Sequence, residues 1–299
     1  MHIRVILNGK KAGWEPVRNA VHRVREKHRV EVRVTWEGGD ARRLAAEAHA
    51  EGCRRVVAGG GDGTVKEVAD ALLRLPAAER PELAILPLGT ANDFATACAI
   101  PTDPEAALAL AASGPARPVD AARAGEHHFL NVASGGFGAR LTATTPPALK
   151  NFLGGGAYTL TAVAQALKLV TYRGELRLPH EVVEGDILVG AACNGRQAGG
   201  GQVLAPEARI DDGLLDFVAL HAFPVEAIGQ VIKELLDARL NGQYVKRLRA
   251  PWGEWQSTEA TPINLDGEPI TARKIRFEAL PRAIRLVLPE QCPLCGASA

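Results

Sequence analysis

The sequence predicts an α/β protein of two domains, an N-terminal one built on a parallel sheet and a C-terminal one of mainly antiparallel strands. Short apolar runs alternate with stretches of helical spacing over residues 1–120, the pattern of a parallel sheet covered by helices. Beyond that point, strand-like runs are separated by Gly-rich and Asp-Gly turns. A chain of 299 residues, 46% of them apolar, is long enough to form two cores.

The N-terminal elements follow from apolar spacing. Val17, Val21 and Val24 recur at helical spacing and predict a first helix. Asp40 is predicted to cap a second helix that ends at Gly52. Strands are predicted at 3–9, 29–36, 55–58 and 83–89.

The C-terminal domain is predicted over 121–282. Its strands are FLNVAS, GDILVGAAC, LLDFVAL and INLDGEPI, and helices are expected mainly at 157–169 and 225–240. The end of the chain, 283–299, is too short to be a domain and can pack back on the first one.

Composition limits the function classes. Thirty-five basic against 34 acidic side chains leave a net charge of +1, so no global field would draw the chain onto nucleic acid or an anionic bilayer. Five scattered cysteines form no disulfide framework, which favours a reducing cytoplasm. No apolar run has the length of a signal-peptide core or of a membrane-spanning helix. We therefore expect contact with lipid only from the membrane surface.

The stretch VVAGGGDGTVKEVADAL (56–72) predicts a phosphate site. Val65, Val68 and Leu72 recur at helical spacing, so the glycines lie at a helix N-terminus. Unpaired N–H groups and a partial positive charge at such a terminus favour phosphate. The residues match neither the Walker loop nor the dinucleotide fingerprint.

Asp62 within this loop has two interpretations. A carboxylate beside phosphate oxygens is repelled unless a divalent cation lies between them, which indicates Mg²⁺. The alternative is an ordinary helix N-cap.

Two further segments bear on this choice. In 84–100 another strand end leads through Gly89 and Thr90, and both strand ends should meet at the carboxyl edge of the sheet, where the hydroxyls of Thr64 and Thr90 could donate to phosphate. The third segment, INLDGEPI (263–270), carries an Asp-Gly hairpin signal followed by Glu268, and alone it is better interpreted as a solvated turn.

Together, GGGDGTVKEV, LPLGTANDFA and NLDGEP resemble the diacylglycerol kinase and sphingosine kinase catalytic family, and the chain is most similar to its bacterial YegS-type lipid kinases. The resemblance runs over nearly the whole chain. It implies a Rossmann-like, NAD kinase-like nucleotide domain, a β-rich lipid-substrate domain and an active site in the cleft between them. There a hydroxyl of a lipid, diacylglycerol- or phosphatidylglycerol-like, would be phosphorylated from ATP with Mg²⁺.

Site residues are implied where the motifs match. Glu268 would be the general base. A structural metal site would use Asp212 with Arg209 and Leu214, the latter two through backbone carbonyls, and would hold Mg²⁺ or Ca²⁺. Nucleotide contacts are implied for Thr35, Gly61, Asp62, Gly63, Thr64, Val65, Lys66, Glu67 and Thr90.

Two positions depart from the family's pattern. Lys66 stands where the family usually has Asn, so it either supplies charge to phosphate or is a solvated helix lysine. Arg209 replaces an apolar residue, which is harmless if only its carbonyl is a ligand.

Other interpretations stay open. QYVKRLRAPWGEW (243–255) mixes aromatic and basic residues as a peripheral membrane surface does, although a solvated strand with buried tryptophans is favoured. Cys292 and Cys295 form a C-x-x-C pair that lacks the further ligands of a zinc site. The shared glycine loop also permits an NAD kinase, and Lys66 raises the alternative of a nucleotide-binding regulator without turnover.

Overall fold

The computed structural model describes residues 1–136, 171–236 and 241–296. The helix predicted at 157–169 lies outside these ranges, as do residues 237–240 of the helix predicted at 225–240. Within the described ranges, no helix has the length and apolar character needed to cross a bilayer.

Strands dominate the described residues. In chain order they are β1 (His2–Asn8), β2 (Arg29–Thr35), β3 (Arg55–Gly60), β4 (Glu82–Pro87), β5 (Ala116–Ala124), β6 (His127–Phe129), β7 (Val132–Gly136), β8 (Tyr172–Arg177), β9 (Val182–Cys193), β10 (Gln197–Ala198), β11 (Gln202–Val203), β12 (Leu215–His221), β13 (Val245–Ala250), β14 (Trp252–Leu265) and β15 (Glu268–Val287).

The α-helices are α1 (Glu15–Arg25), α2 (Asp40–Ala50), α3 (Asp62–Leu73), α4 (Asp93–Ala97), α5 (Pro104–Ser113) and α6 (Ile228–Leu236). Short 3₁₀ turns occur at Gly9–Lys11, Ala77–Glu79 and Val225–Ala227.

The first four strands form a parallel sheet in the order β4-β3-β1-β2. Successive side chains of β1 enter opposite layers: Val5 packs with α1 and α5, and Ile6 with α2 and α3. Both faces are covered by helices, as buried parallel strands require. The later strands β7, β8, β9, β12, β13 and β14 pair antiparallel. The predicted α/β fold class is thereby confirmed.

The N-terminus of α2 differs slightly from the prediction. Gly39 occupies the cap position, and Asp40 is the first helical residue. The Asp40 carboxylate accepts hydrogen bonds from the N–H groups of Trp36 and Glu37. The prediction of Asp40 as the cap is therefore off by one position.

Strand β15 connects the two halves of the molecule. Its first residues pair with β14, whereas near its end Leu286 pairs in parallel with Leu83 of β4. Leu288 and Leu294, beyond the strand, lie in the hydrophobic core that contains α2 and α3. Because one sheet runs through both halves, the domain limits 1–120 and 121–282 stay a prediction.

Candidate active site

The predicted nucleotide-binding residues lie at one edge of the parallel sheet. Thr35 ends β2, the glycine loop follows β3, and Gly89 and Thr90 follow β4. Because these strands are parallel and adjacent through β1, their carboxyl ends form a single edge, the usual ligand-binding position in such sheets.

The two loops touch backbone to backbone at Gly61 and Gly89. A Cβ atom on Gly89 would lie 2.5 Å from the Cα of Gly61 and 2.8 Å from Oδ1 of Asn92. At Gly60, a Cβ would lie 2.3 Å from Oγ1 of Thr64. Glycine is required at these positions by close approach.

The first turn of α3 is open to a ligand. Gly61 is the N-cap and has no side chain to satisfy the N–H groups of the following residues. Gly63 is exposed, and a Cβ there would meet nothing within 4 Å. The donor set and the free space therefore fit phosphate oxygens.

Asp62 is the first residue of α3 and not its cap, so the N-cap interpretation is wrong in detail. Its Oδ1 accepts from the N–H of Phe94 at 3.3 Å, which ties the two loops together. Burial raises the pKa of Asp62, and the nearby Asp93 adds to this effect, although backbone hydrogen bonds oppose it. A half-buried carboxylate supplies the oxygen ligands that a hard cation such as Mg²⁺ takes.

The other nucleotide candidates have different surroundings. Val65 packs in the core, and its N–H donates to the carbonyl of Gly61 at 3.1 Å. Thr90 is exposed, while Thr35 and Glu67 are half-buried. Their contacts with a nucleotide stay predictions.

Lys66 is not a solvated helix lysine. Its side chain is 1% exposed, and its ammonium forms an ion pair with Oε2 of Glu268. The pair joins α3, four residues beyond Asp62, to the first residue of β15. The structure thus brings the segment 263–270 into contact with the glycine-loop segment 56–72.

The turn that carries Glu268 is built on Asp266. Asp266 and Gly267 both have positive φ, +47° and +98°, as the predicted Asp-Gly hairpin requires. The Asp266 carboxylate accepts three backbone N–H groups, from residues 130, 131 and 132, at 2.7–3.0 Å. Burial of this carboxylate raises its pKa to about 6 despite these hydrogen bonds. Asp266 therefore anchors the turn to the strand β7 region.

Sequence reasoning assigned no such role to Asp266, nor to two other buried carboxylates. Asp93 accepts the N–H groups of Gly200 and Gly201 at 2.9 and 2.6 Å. Asp70 binds His128, Arg42 and Arg74. Burial alone would raise the pKa of Asp70, but hydrogen bonds from His128 and Arg74 outweigh it and lower that pKa. The Asp-Gly pair marks Asp266 as a turn residue, but no local pattern indicates the distant donors that these three carboxylates bind.

The Asp212 carboxylate has two partners within the protein. Oδ1 of Asp212 accepts from the N–H of Leu214 at 3.1 Å, and Oδ2 lies 3.6 Å from the guanidinium of Arg249. The Arg209 side chain pairs with Asp211, which leaves only its carbonyl as a ligand. In the part of the chain that is described, no three His, Cys, Asp or Glu side chains are placed to hold a metal. The metal site at Arg209, Asp212 and Leu214 stays a prediction.

Side chains of the segment 243–255 make contacts within the protein. Arg247 and Arg249 donate to the carbonyls of Glu234 and Glu207. Its aromatic residues also have internal partners: Tyr244 packs on Phe223, Trp252 lies under Arg276, and Trp255 donates to Thr261.

An apolar cavity of about 60 Å³ lies within the antiparallel part. Its walls include Ala133, Tyr172, Phe217, Trp255, Ile263 and Phe277. Ile263 belongs to β14, the strand that leads into the Asp266 turn. The cavity has the lining that an alkyl group prefers.

Comparisons with known proteins agree with this arrangement. Residues 2–124 match the diacylglycerol kinase catalytic domain, and 131–288 match the YegS C-terminal NAD kinase beta sandwich-like domain. A crystal structure described as a diacylglycerol kinase from Bacillus anthracis str. Sterne has a TM-score of 0.73 at 22% identity, covering 96% of this chain and 97% of that one. This likeness shows the shared fold.

Full-length relatives are considerably closer in sequence. A protein of Shewanella frigidimarina named "Probable lipid kinase YegS-like" is 47% identical over 98% of this chain and 95% of its own length. A Pseudomonas putida protein of the same name is 49% identical over 97% and 96%. The chain therefore belongs to the diacylglycerol kinase catalytic-domain family, kinases with an alcohol acceptor, and within it to the YegS-like group.

Proposed function

We propose that the protein transfers the γ-phosphate of ATP to a hydroxyl of a diacylglycerol- or phosphatidylglycerol-like lipid, with Mg²⁺. The observation that carries this proposal is the position of Glu268, held by Lys66 against the helix that begins at the glycine loop. A carboxylate beside a phosphate-binding helix terminus can accept the proton of an attacking hydroxyl, a role worth typically about 10²–10⁴-fold in rate.

The residues at the carboxyl edge of the parallel sheet bind and orient ATP. N–H groups at the start of α3 hold phosphate oxygens, and the hydroxyls of Thr64 and Thr90 add donors. Mg²⁺, when bound, would offset the charge of the ATP phosphates, and Asp62 is its candidate ligand. The hydrogen bonds of Asp266 fix the turn and so hold Glu268 in position relative to the glycine loop.

The acceptor is assigned as a lipid for two reasons. Curated relatives carry the name of lipid kinases, and the apolar cavity adjoins the strand leading to Glu268. Its small volume suits part of an acyl chain, so the remainder would extend outside. The five free cysteines suit a cytoplasmic site of action.

The decisive experiment follows labelled γ-phosphate from ATP into diacylglycerol, phosphatidylglycerol, a sphingoid base and NAD. We expect label in one lipid with the wild type and none with Glu268→Gln, while the mutant still binds ATP. Unchanged turnover in Glu268→Gln would remove the base role.

The same assay separates the alternatives. Label in NAD alone would identify an NAD kinase, and ATP binding without label in any acceptor would favour a regulator. The retained Glu268 and the full-length family match argue against both.

Asp62→Asn tests the Mg²⁺ assignment. We expect the mutant to need much more Mg²⁺ for half-maximal rate, because a carboxylate binds this ion far better than an amide does. An identical Mg²⁺ dependence in mutant and wild type would exclude Asp62 as the ligand.

Peripheral membrane contact through 243–255 is a further part of the proposal, although the internal contacts of this segment weaken it. Sedimentation with anionic vesicles should decrease when Lys246 and Arg247 are both changed to Glu. Equal sedimentation would leave the segment a structural strand.

A further inference from the structure

Lys66 is a buried ammonium group at the junction of the two halves. Its side chain is 1% exposed, whereas that of its partner Glu268 is 40% exposed. Burying an ammonium group is costly unless it is paired and hydrogen-bonded. Among the described residues, Glu268 is the hydrogen-bond partner of this ammonium. The contact must therefore offset a real desolvation cost.

Charged groups of several elements surround the Lys66 ammonium. Burial lowers its pKa, and the neighbouring carboxylates oppose that effect. The charged or titratable groups that face it are Glu67 and Asp70 on its own helix, Arg42 on α2, His127 on β6, and Asp266 and Glu268 at the β14–β15 turn. Carboxylates outnumber cations here, so they offset part of the lowering of the Lys66 pKa that burial causes.

Glu268 is thus held from two directions. Asp266 anchors its turn to backbone N–H groups of residues 130–132, and Lys66 holds its carboxylate. The two anchors come from parts of the chain far apart in sequence, since Lys66 and Glu268 are 202 positions apart.

We propose that Lys66 is a positioning residue that keeps the Glu268 carboxylate ionised and fixed beside the glycine loop. This inference rests on the proposed function, in which Glu268 is the base. An opposite charge at this range favours the ionised form of a carboxylate. Phosphoryl transfer depends more on orientation and charge than on basicity, so a paired carboxylate suits it.

The alternative role of Lys66 is direct contact with the phosphates. The two roles differ in what they affect. A phosphate contact would govern ATP affinity, whereas a contact with Glu268 would govern the pH range over which the base is ionised.

The test uses Lys66→Met and Lys66→Arg, with Lys274→Met as a matched control. Lys274 pairs with Glu254 across β14 and β15, and its side chain is 60% exposed. The measurements are the pH dependence of kcat/KM for the lipid acceptor identified above and the Kd of ATP.

We expect Lys66→Met to lower kcat/KM at pH 7 at least about tenfold and to move the acidic limb upward by about 1 pH unit, the lower end of the effect of a close opposite charge. The Kd of ATP should stay within about twofold of the wild type. Lys66→Arg should retain the acidic limb, and Lys274→Met should behave as the wild type.

Several outcomes would overturn the inference. Weaker ATP binding with an unmoved acidic limb would assign Lys66 to the phosphates. An equal loss at every pH in both Lys66 variants would leave only a packing role. If Lys66→Met does not fold, Lys66→Gln replaces it, and the acidic limb must again move upward because the amide carries no charge to favour the ionised carboxylate.

The control for the proposed function is separate. If Glu268→Gln retains turnover, both the base role and this inference fail. If Glu268→Gln is inactive while Lys66→Met keeps the wild-type acidic limb, only the inference about Lys66 fails.

Discussion

At the scale of single residues, three carboxylates that are half-buried or buried organise the candidate site. Asp62 links the glycine loop to the segment after β4, Asp93 holds the Gly200 turn, and Asp266 holds the turn of Glu268. Each accepts at least one backbone N–H group of another segment, and a hydrogen bond to a charged group contributes to stability. These side chains therefore tie together segments that are distant in the sequence.

Asp266→Asn tests the anchor of the Glu268 turn. Replacing one acceptor oxygen by an amide group opposite three N–H donors should lower the free energy of unfolding by about 1–3 kcal/mol. Turnover should fall as well, because Glu268 loses its support. Denaturant unfolding and the lipid assay measure the two effects.

The stability difference between the wild type and Asp266→Asn should depend on pH. The pKa of an Asp carboxyl in the unfolded chain is about 3.9, and burial raises the pKa of Asp266 in the native state to about 6. Between these values the native state binds more protons, so the contribution of Asp266 to stability falls as pH rises from about 4 to about 6. The stability difference between wild type and Asp266→Asn should shrink over that window, and a constant difference would contradict it.

At the scale of elements, two strand–loop–helix units meet through glycine. The loops after β3 and β4 approach so closely that a side chain on Gly89 would enter the backbone of the other loop. Gly63 has no such neighbour and faces open space. Gly89 is thus required by the close packing of the two loops, whereas Gly63 leaves space for a ligand.

Gly63→Ala and Gly89→Ala should separate stability from nucleotide binding. Alanine at 63 lies within α3 and should leave stability unchanged or raise it by about 0.5–1 kcal/mol, while weakening ATP binding by occupying the phosphate space. Alanine at 89 should lower stability by about 1–3 kcal/mol through overpacking. Thermal unfolding measures the stability of both variants, and ATP titration measures their binding. If Gly63→Ala binds ATP as tightly as the wild type, the phosphates do not lie at Gly63.

Elements also differ in how well their sequences predict them. The amphipathic α3 and the Asp-Gly turn follow local rules and were predicted. Helix α5 was not predicted, because its Ala- and Leu-rich run has little contrast between faces. Its burial against α1 is decided by the sheet beneath it.

At the scale of the whole molecule, β15 makes the two halves one structure. Its twenty residues start at the candidate base and end in the core of the N-terminal half. A change at one end can therefore act on the other half through a single strand.

Leu286→Ala tests this coupling. Leu286 is fully buried in the N-terminal core, so truncation should cost about 2–5 kcal/mol. With Trp14 and Trp36 changed to Phe in both proteins, tryptophan emission reports only Trp252 and Trp255 of the other half. Emission and far-UV circular dichroism should then show one shared transition at lower denaturant. Two separated transitions would show that the halves unfold independently.

The sequence by itself determined the α/β class, the glycine loop at a helix N-terminus, the Asp-Gly hairpin before Glu268 and the family. The first three features depend on periodicity and turn chemistry, which act over a few residues, whereas the family is indicated by three short motifs in their order along the chain. It left Lys66 undecided between phosphate and solvent, and it assigned no role to Asp266. Only the tertiary structure placed Lys66 against Glu268, because burial and pairing depend on how the chain closes over 202 positions, a distance at which local patterns carry no information.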